Sequence, residues 1–299
     1  MADRIKKVAV FGASGNFGTP ITAALVKAGF EVTIVTQPSS KSIFPNGIQV
    51  IRSEYTVAHL TAALAGQDAA ISVVGPAAIT SNVAMVEAAA EAGVKRFIVN
   101  DFGWGPDFAS EPEFAAIGDT RHVAWDRAKQ LAIENTGFTW TGITIGNPID
   151  WALKRFPLMG FDVKDYTATI YDEGTEQFTG TTLSGIGQSV VGVLKRPDAT
   201  ANRFVKARSI QTCQNELLAA FQIVTGRRWE VHVGKVSDLR ESGKQKHQDG
   251  AGGWVLDLLV FQLFEPGKGR CIVASHEDSD ATLLGIPEET AEDIALKAL

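Results

Sequence analysis

A chain of 299 residues with 45% hydrophobic residues has room for one large α/β domain or two unequal ones and can bury a core, which excludes intrinsic disorder. A formal net charge of −6 argues against nucleic acid or an anionic membrane as main partner. Two cysteines, Cys213 and Cys271, cannot form a disulfide framework and lack C-x-x-C spacing, which suits a reducing compartment with one buried and one semi-exposed thiol.

The first strand, Val8–Phe11, runs into Gly12-Ala13-Ser14-Gly15-Asn16-Phe17-Gly18 and then into a helix over Thr19–Ala28 that closes at Gly29. Charged residues lead straight into that strand without a signal-like segment, and no run of about 18 apolar residues could span a bilayer, so a cytoplasmic protein is expected. Gly12 permits a tight turn, Gly15 a close approach to a pyrophosphate, and Gly18 close packing of the helix on the strand. Ser14, Asn16 and Phe17 complete this loop, whose helix start offers free N–H groups to phosphates. The spacing is G-x-x-G-x-x-G, not the commoner G-x-G-x-x-G.

Further strands are expected at Val32–Val35, Gln49–Arg52, Ala70–Val74, Phe97–Val99 and Thr139–Ile145, with helices at Ala58–Leu64, Asn82–Ala92 and Arg121–Asn135. The apolar runs are short, β-branched and unalternating, as in strands buried on both faces. The alternation predicts a doubly wound parallel Rossmann sheet over 1–150, with ligands at the carboxyl ends of its strands. After Thr36, the loop Gln37-Pro38-Ser39-Ser40-Lys41 carries no carboxylate, so a 2′-phosphate would meet Lys41 and the serines rather than a repelling charge. NADP(H) is therefore favoured over NAD(H).

Beyond Asp150 the alternation breaks down, and 151–299 is expected to be a smaller α+β substrate region. It contains a strand at Thr167–Tyr171, a helix at Ile186–Leu194, a strand at Arg203–Val205 able to rejoin the main sheet, and a helix from Cys213 to Val224 with Thr212 as N-cap. The charged, glycine-containing stretch Glu241–Gly253 is expected to be a mobile loop. The apolar run Trp254–Phe264 suits core, a pocket lid or a dimer face.

GASGNFG at the N-terminus, AGVKRFIVNDFGWGPDF at 92–108, NTGFTWTGITIGNPIDW at 135–151, FTGTTLSGIGQSVVGVL at 178–194 and SIQTCQNELLAAFQIVTGRRW at 209–229 resemble the NmrA-like atypical short-chain dehydrogenases. The resemblance is strongest to their isoflavone-reductase-like branch of fungal type and covers nearly the whole chain. It implies an NADP(H)-binding fold, a C-terminal substrate region and often a role in secondary metabolism. It also implies that Val74 and Gly75 flank the cofactor, that Phe102 beside Asp101 lies near the nicotinamide, and that Asn147 and Pro148 border it. Asp101 itself reads equally as a site acid or a loop cap. Relatives commonly carry an arginine beside Thr36, where this chain has Gln37.

Short-chain dehydrogenases usually use Y-x-x-x-K, and no tyrosine here has a lysine four residues on. The family register places the tyrosine position at His122 and the lysine position at Asp126; a shifted register uses Lys129, with Trp125 four residues earlier. His122, Asp126 and Lys129 share one helix face, offering an imidazole for proton exchange, a carboxylate to orient it and an ammonium group. The same spacing also suits an ordinary solvated stripe. Trp104, Phe108 and Phe114 after the fifth strand, and Trp151, Phe156 and Phe161 after the sixth, suggest a wall for a bulky, flat substrate. No metal-ligand cluster emerges from the scattered histidines.

Three functions fit. The first is an NADP(H)-dependent oxidoreductase acting by hydride transfer on an aromatic or alkaloid-like metabolite. The second is a redox-neutral isomerase or cyclase that removes and returns the hydride, and the third a non-catalytic NADP-sensing regulator. The aromatic wall favours the enzymes.

Overall fold

The computed structural model describes residues 5–155 and 158–299. The first half builds a sheet from β1 (Lys7–Phe11), β2 (Glu31–Thr36), β3 (Gln49–Arg52), β4 (Ala69–Ser72), β5 (Arg96–Ile98) and β6 (Thr139–Thr144). The helices α1 (Gly18–Lys27), α2 (Val57–Ala63), α3 (Asn82–Glu91) and α4 (Ala115–Glu134) connect them. Then come α5 (Ile149–Leu153), β7 (Phe161–Asp162), β8 (Thr167–Tyr171), β9 (Phe178–Gly180), α6 (Leu183–Lys195), α7 (Pro197–Thr200), β10 (Arg203–Lys206) and β11 (Ile210–Thr212). The chain ends with α8 (Gln214–Thr225), β12 (Glu230–Gly234), α9 (Val236–Gln248), α10 (Trp254–Phe264), α11 (Ala281–Leu284) and α12 (Ala291–Ala298).

The main sheet has seven strands in the order β10-β6-β5-β4-β1-β2-β3, all parallel. Successive residues of β1 point to opposite faces, and both faces are buried. Val8 and Val10 join one apolar cluster with α1 and α6, while Ala9 and Phe11 join the other with α2, α3 and α4. The strand order reverses between β1 and β4, which opens a crevice at their carboxyl ends. A third cluster, around Phe161, Phe178, Phe221, Trp229 and the apolar side of α10, forms the core of the other body.

The structure departs from the sequence expectations at several places. The helix expected from Arg121 begins at Ala115, after a 3₁₀ turn over Pro112–Phe114; Gly118 and the exposed Ala115–Ile117 hide its first turns from any apolar periodicity. The stretch expected to be a mobile loop is mostly α9. Its ordering comes from α10: Ser242 Oγ and Lys246 Nζ each lie 2.7 Å from Asp257 Oδ2, and a Cβ on Gly243 would stand 2.7 Å from Leu258 Cγ. Cys213, not Thr212, is the N-cap of α8; the Thr212 hydroxyl donates to Glu216 Oε2 at 2.8 Å instead. Both cysteines are buried and free, and burial raises both thiols, that of Cys271 well above its ordinary range. Phe161 is a core residue, tilted against Phe221 and edge-on to Trp229, and not part of a substrate wall.

Candidate active site

The loop after β1 turns at Gly12, whose φ of +80° and 2.5 Å clearance from the Val73 carbonyl oxygen to any added Cβ leave no room for another residue. The Gly15 N–H donates to the Gly12 carbonyl at 2.9 Å and closes the turn. A Cβ on Gly18 would fall 2.0 Å from the Gly12 carbonyl oxygen, so the start of α1 packs directly on the turn. No side chain caps α1 and no acidic residue stands in its first turn. Its positive end therefore faces the crevice unneutralised.

That crevice is a cleft of about 520 Å³ lined by Gly15, Asn16, Phe17, Val74, Gly75 and Pro76 on one side. Asn100, Asp101, Phe102, Ile117, Thr120 and Arg121 line the other. Its floor is braced: Asn100 Nδ2 donates to the Val74 carbonyl at 2.8 Å, and Trp125 Nε1 donates to the Asn100 carbonyl at 3.3 Å. Phe102 sits at φ +41°, a strained conformation for an aromatic residue, held by its N–H bond to the Ile143 carbonyl at 3.1 Å.

Asp101, Ile117 and Arg121 also line a second cavity of about 290 Å³, which lies beyond them. Trp104 and Phe108 form one wall, stacked at 5.4 Å between centroids, and Phe114, His122, Trp125, Leu259 and Gln262 close it. Glu111 secures the roof. Its N–H donates to Gln262 Oε1 at 2.7 Å, and its carboxylate meets Arg240 at 3.2 Å, Lys244 at 3.3 Å and Arg270 at 3.3 Å. Burial alone would raise the Glu111 carboxyl, but these cations outweigh it and hold the group below its ordinary value. Asp101 shows the opposite balance. Burial pushes its carboxyl up to about 6, against the Thr144 hydroxyl at 2.9 Å, the charge of Arg121 and backbone donors from Gly105 and Gly103.

Of the residues singled out from sequence, the cleft brings together Gly15, Asn16, Phe17, Val74, Gly75, Asp101 and Phe102. Ser14 instead bonds the Ser42 hydroxyl at 3.0 Å. Thr36 ends β2, and Gln37 and Lys41 lie in the loop beyond it, all three outside the cleft lining. Asn147 and Pro148 pack at the junction of β6 and β9, where the Asn147 carbonyl accepts from Thr181 N–H at 2.8 Å and its side-chain oxygen is buried without a partner. Trp151 lies edge-on to Phe17 at 6.3 Å with Arg155 over its ring, and does not line the aromatic cavity. Phe156 lies outside the described residues.

The proposed catalytic face divides. His122 lines the aromatic cavity, 4.9 Å from the Trp125 ring. Asp126 and Lys129 line neither cavity; they form an exposed ion pair at 2.9 Å, so the structure does not gather the three groups. The helix turns away because Ala124, Trp125 and Ala128 are the residues it buries.

Two positions escaped sequence reading. Arg121 precedes the expected face by one residue, and only the earlier start of α4 places it between the cavities. Arg52 ends β3 opposite Thr36, and its Nη1 donates to the Ser40 carbonyl at 2.7 Å. A cation thus reaches the loop after β2 from the neighbouring strand. The parallel register of β2 and β3 is the signal that would have found it. Among the described residues no cluster of three or more His, Cys, Asp or Glu is placed to hold a metal, and no helix is long and apolar enough to cross a membrane.

The sequence profile of the NmrA-like family matches residues 4–247. The chain is 61% identical over 288 residues to the oxidoreductase poxI of Penicillium oxalicum, covering 96% of this chain and 92% of that one. Among solved structures it resembles those of pinoresinol-lariciresinol and phenylcoumaran benzylic ether reductases, with a TM-score of 0.80, 16% identity and coverage of 99% and 100%. It also resembles the leucoanthocyanidin reductase–NADPH complex from Vitis vinifera, with a TM-score of 0.75, 20% identity and coverage of 98% and 99%.

Proposed function

The chain belongs to the NmrA-like family, as an oxidoreductase of its isoflavone-reductase-like branch, and from that premise we propose that it transfers hydride between NADP(H) and a bulky aromatic substrate. The observation that carries this reading is the union of two cavities. A cleft at the switch point of the sheet meets an aromatic-walled cavity across Asp101 and Arg121.

The residues present fit a dinucleotide. The glycine turn and the uncapped start of α1 suit a pyrophosphate, since the turn has no room for side chains that would block it. Val74, Gly75 and Pro76 offer an apolar flank beside the cleft, and Phe102 stands at its inner end. Arg52, with Lys41 and the serines after β2, supplies cationic and hydroxyl donors for a 2′-phosphate. When bound, the cofactor supplies the hydride-exchanging carbon; the protein positions it against the substrate and excludes water. Trp104 and Phe108 hold a flat ring, and His122, whose imidazole can donate or accept a proton, lines the same cavity and is assigned the proton exchange with a substrate oxygen. A role in secondary metabolism, in the cytoplasm, belongs to the same proposal.

The test is a titration of the protein with NADPH and NADH, followed by energy transfer from tryptophan to the reduced nicotinamide. NADPH is expected to bind at least about tenfold more tightly, the scale of one or two charge-assisted bonds. Failure to bind NADPH at sub-millimolar concentration overturns the reading.

A further inference from the structure

The aromatic cavity holds two buried donors with nothing to donate to. Arg121 Nε and Gln262 Nε2 are both buried without a hydrogen-bond partner. Gln262 is 2% exposed, and its orientation is fixed by its other end. Oε1 accepts from the Glu111 N–H at 2.7 Å and from Ser110 Oγ at 3.2 Å, so the unpartnered atom is the NH₂ group, which can only donate. A guanidinium likewise only donates. Arg121 has no ion-pair partner within 4 Å among the described residues, although Asp101 is near. A Cβ placed on Gly103 would stand 3.5 Å from both Arg121 Nη1 and Asp101 Oδ1. Among the described residues, Arg121 is also the one cation lining both cavities.

A buried donor without a partner forfeits the hydrogen bond it would make to water, so such groups persist where something else satisfies them. The remaining charges on the cavity do not do so. Glu111 is engaged by Arg240, Lys244 and Arg270, and Asp119 is an exposed rim residue. The geometry points to Arg121 and Gln262 as a donor pair that selects an aromatic ligand bearing acceptor oxygens, with its most negative oxygen, a carboxylate or an acidic phenolate, at Arg121. This rests on the substrate reading given above and names its chemistry. Trp104 and Phe108 grip the ring, while Arg121 sets which edge of it faces the cofactor cleft. A ligand whose polar groups are all donors would leave both protein groups unpaired and be rejected.

The probes are 2-naphthoate and its uncharged counterpart 2-naphthamide, titrated by calorimetry into protein saturated with NADPH. The wild type is expected to bind 2-naphthoate about tenfold or more tightly than 2-naphthamide, the scale of a hydrogen bond to a charged group. Arg121→Met removes this preference and Arg121→Lys keeps part of it. Gln262→Glu, which retains the acceptor for Glu111 and replaces the donor with an oxygen, weakens 2-naphthoate. Phe108→Ala weakens both probes alike and so reports the ring contact separately. The inference is overturned if the NADPH-bound wild type fails to bind 2-naphthoate at millimolar concentration or binds both probes equally. It is also overturned if a folded Arg121→Met keeps the preference. A wild type that binds neither NADPH nor NADH fails the proposed function instead.

Discussion

At the scale of single residues, Arg52 carries the selectivity argument. A guanidinium has five N–H donors, and its bond to the Ser40 carbonyl leaves most of that fork for a phosphate. Arg52→Met should raise the dissociation constant for NADPH about tenfold and leave that for NADH nearly unchanged. The same titration checks it, and equal weakening of both would mean that the arginine merely braces the loop. His122 and Lys129 separate in the same way. His122→Ala is expected to lower turnover about 10²-fold, the scale of a lost proton-transfer group. Lys129→Ala removes an exposed i,i+3 pair with Asp126, worth roughly 0.5 kcal/mol or less, and should leave turnover unchanged. Steady-state kinetics on the two variants decides; a large loss in the lysine variant alone would restore the shifted register. The glycine turn was legible because backbone shape dictates those residues. The catalytic face was not, since helical spacing says which residues share a face but not which way it points.

At the scale of elements, one side chain pins three of them. Arg96 of β5 is 2% exposed and spends its donors on Thr139 Oγ1 at 2.8 Å and Thr141 Oγ1 at 3.0 Å of β6, with Thr200 Oγ1 at 3.0 Å and the Pro197 carbonyl at 2.6 Å of α7. Burial lowers its guanidinium to about 10, with the charge of Asp198 opposing. Arg96→Met would remove four buried hydrogen bonds at once, although the three hydroxyls keep their own bonds to the Lys95, Thr200 and Arg196 carbonyls, so destabilisation of about 3 kcal/mol or more is expected in urea unfolding. A loss below about 1 kcal/mol would show that water takes over these bonds. The sequence marked this arginine only as part of a recurring pattern, because its partners lie up to 104 residues away. The parallel strands were legible for the opposite reason: each is a short apolar run flanked by its own turn. Helix α9 was illegible because its order is borrowed from α10.

For the whole molecule, acid is the informative stress. Glu111 ties the loop after β5 to α9, α10 and Arg270. Its folded carboxyl titrates below the ordinary value, so its stabilisation is fully present above that ordinary value and is lost as pH falls through the lowered one. The gap in melting temperature between wild type and Glu111→Gln should therefore be widest near neutrality and narrow progressively as pH falls below the ordinary carboxylate range. A gap that stays constant down to pH 3 would mean that the carboxylate charge contributes nothing. Asp101, raised to about 6, works in the other direction and favours the folded state most when protonated, at lower pH.

The chain does not finish one body before starting the other. It leaves the main sheet after β6 and returns for α6 and β10. It departs again through β11 and α8, returns for α11 against α6, and ends with α12 against α8. A single hinge between two lobes needs one or two strands of chain to bend; here several crossings at separated points would have to flex in concert. Opening by rigid rotation is thereby disfavoured, and any adjustment of the partly open aromatic cavity falls to its margin, the run from Trp104 to Phe114 and the packed pair α9 and α10. The ion cluster around Glu111 fixes that margin in place, tying the loop after β5 to α9 and to Arg270.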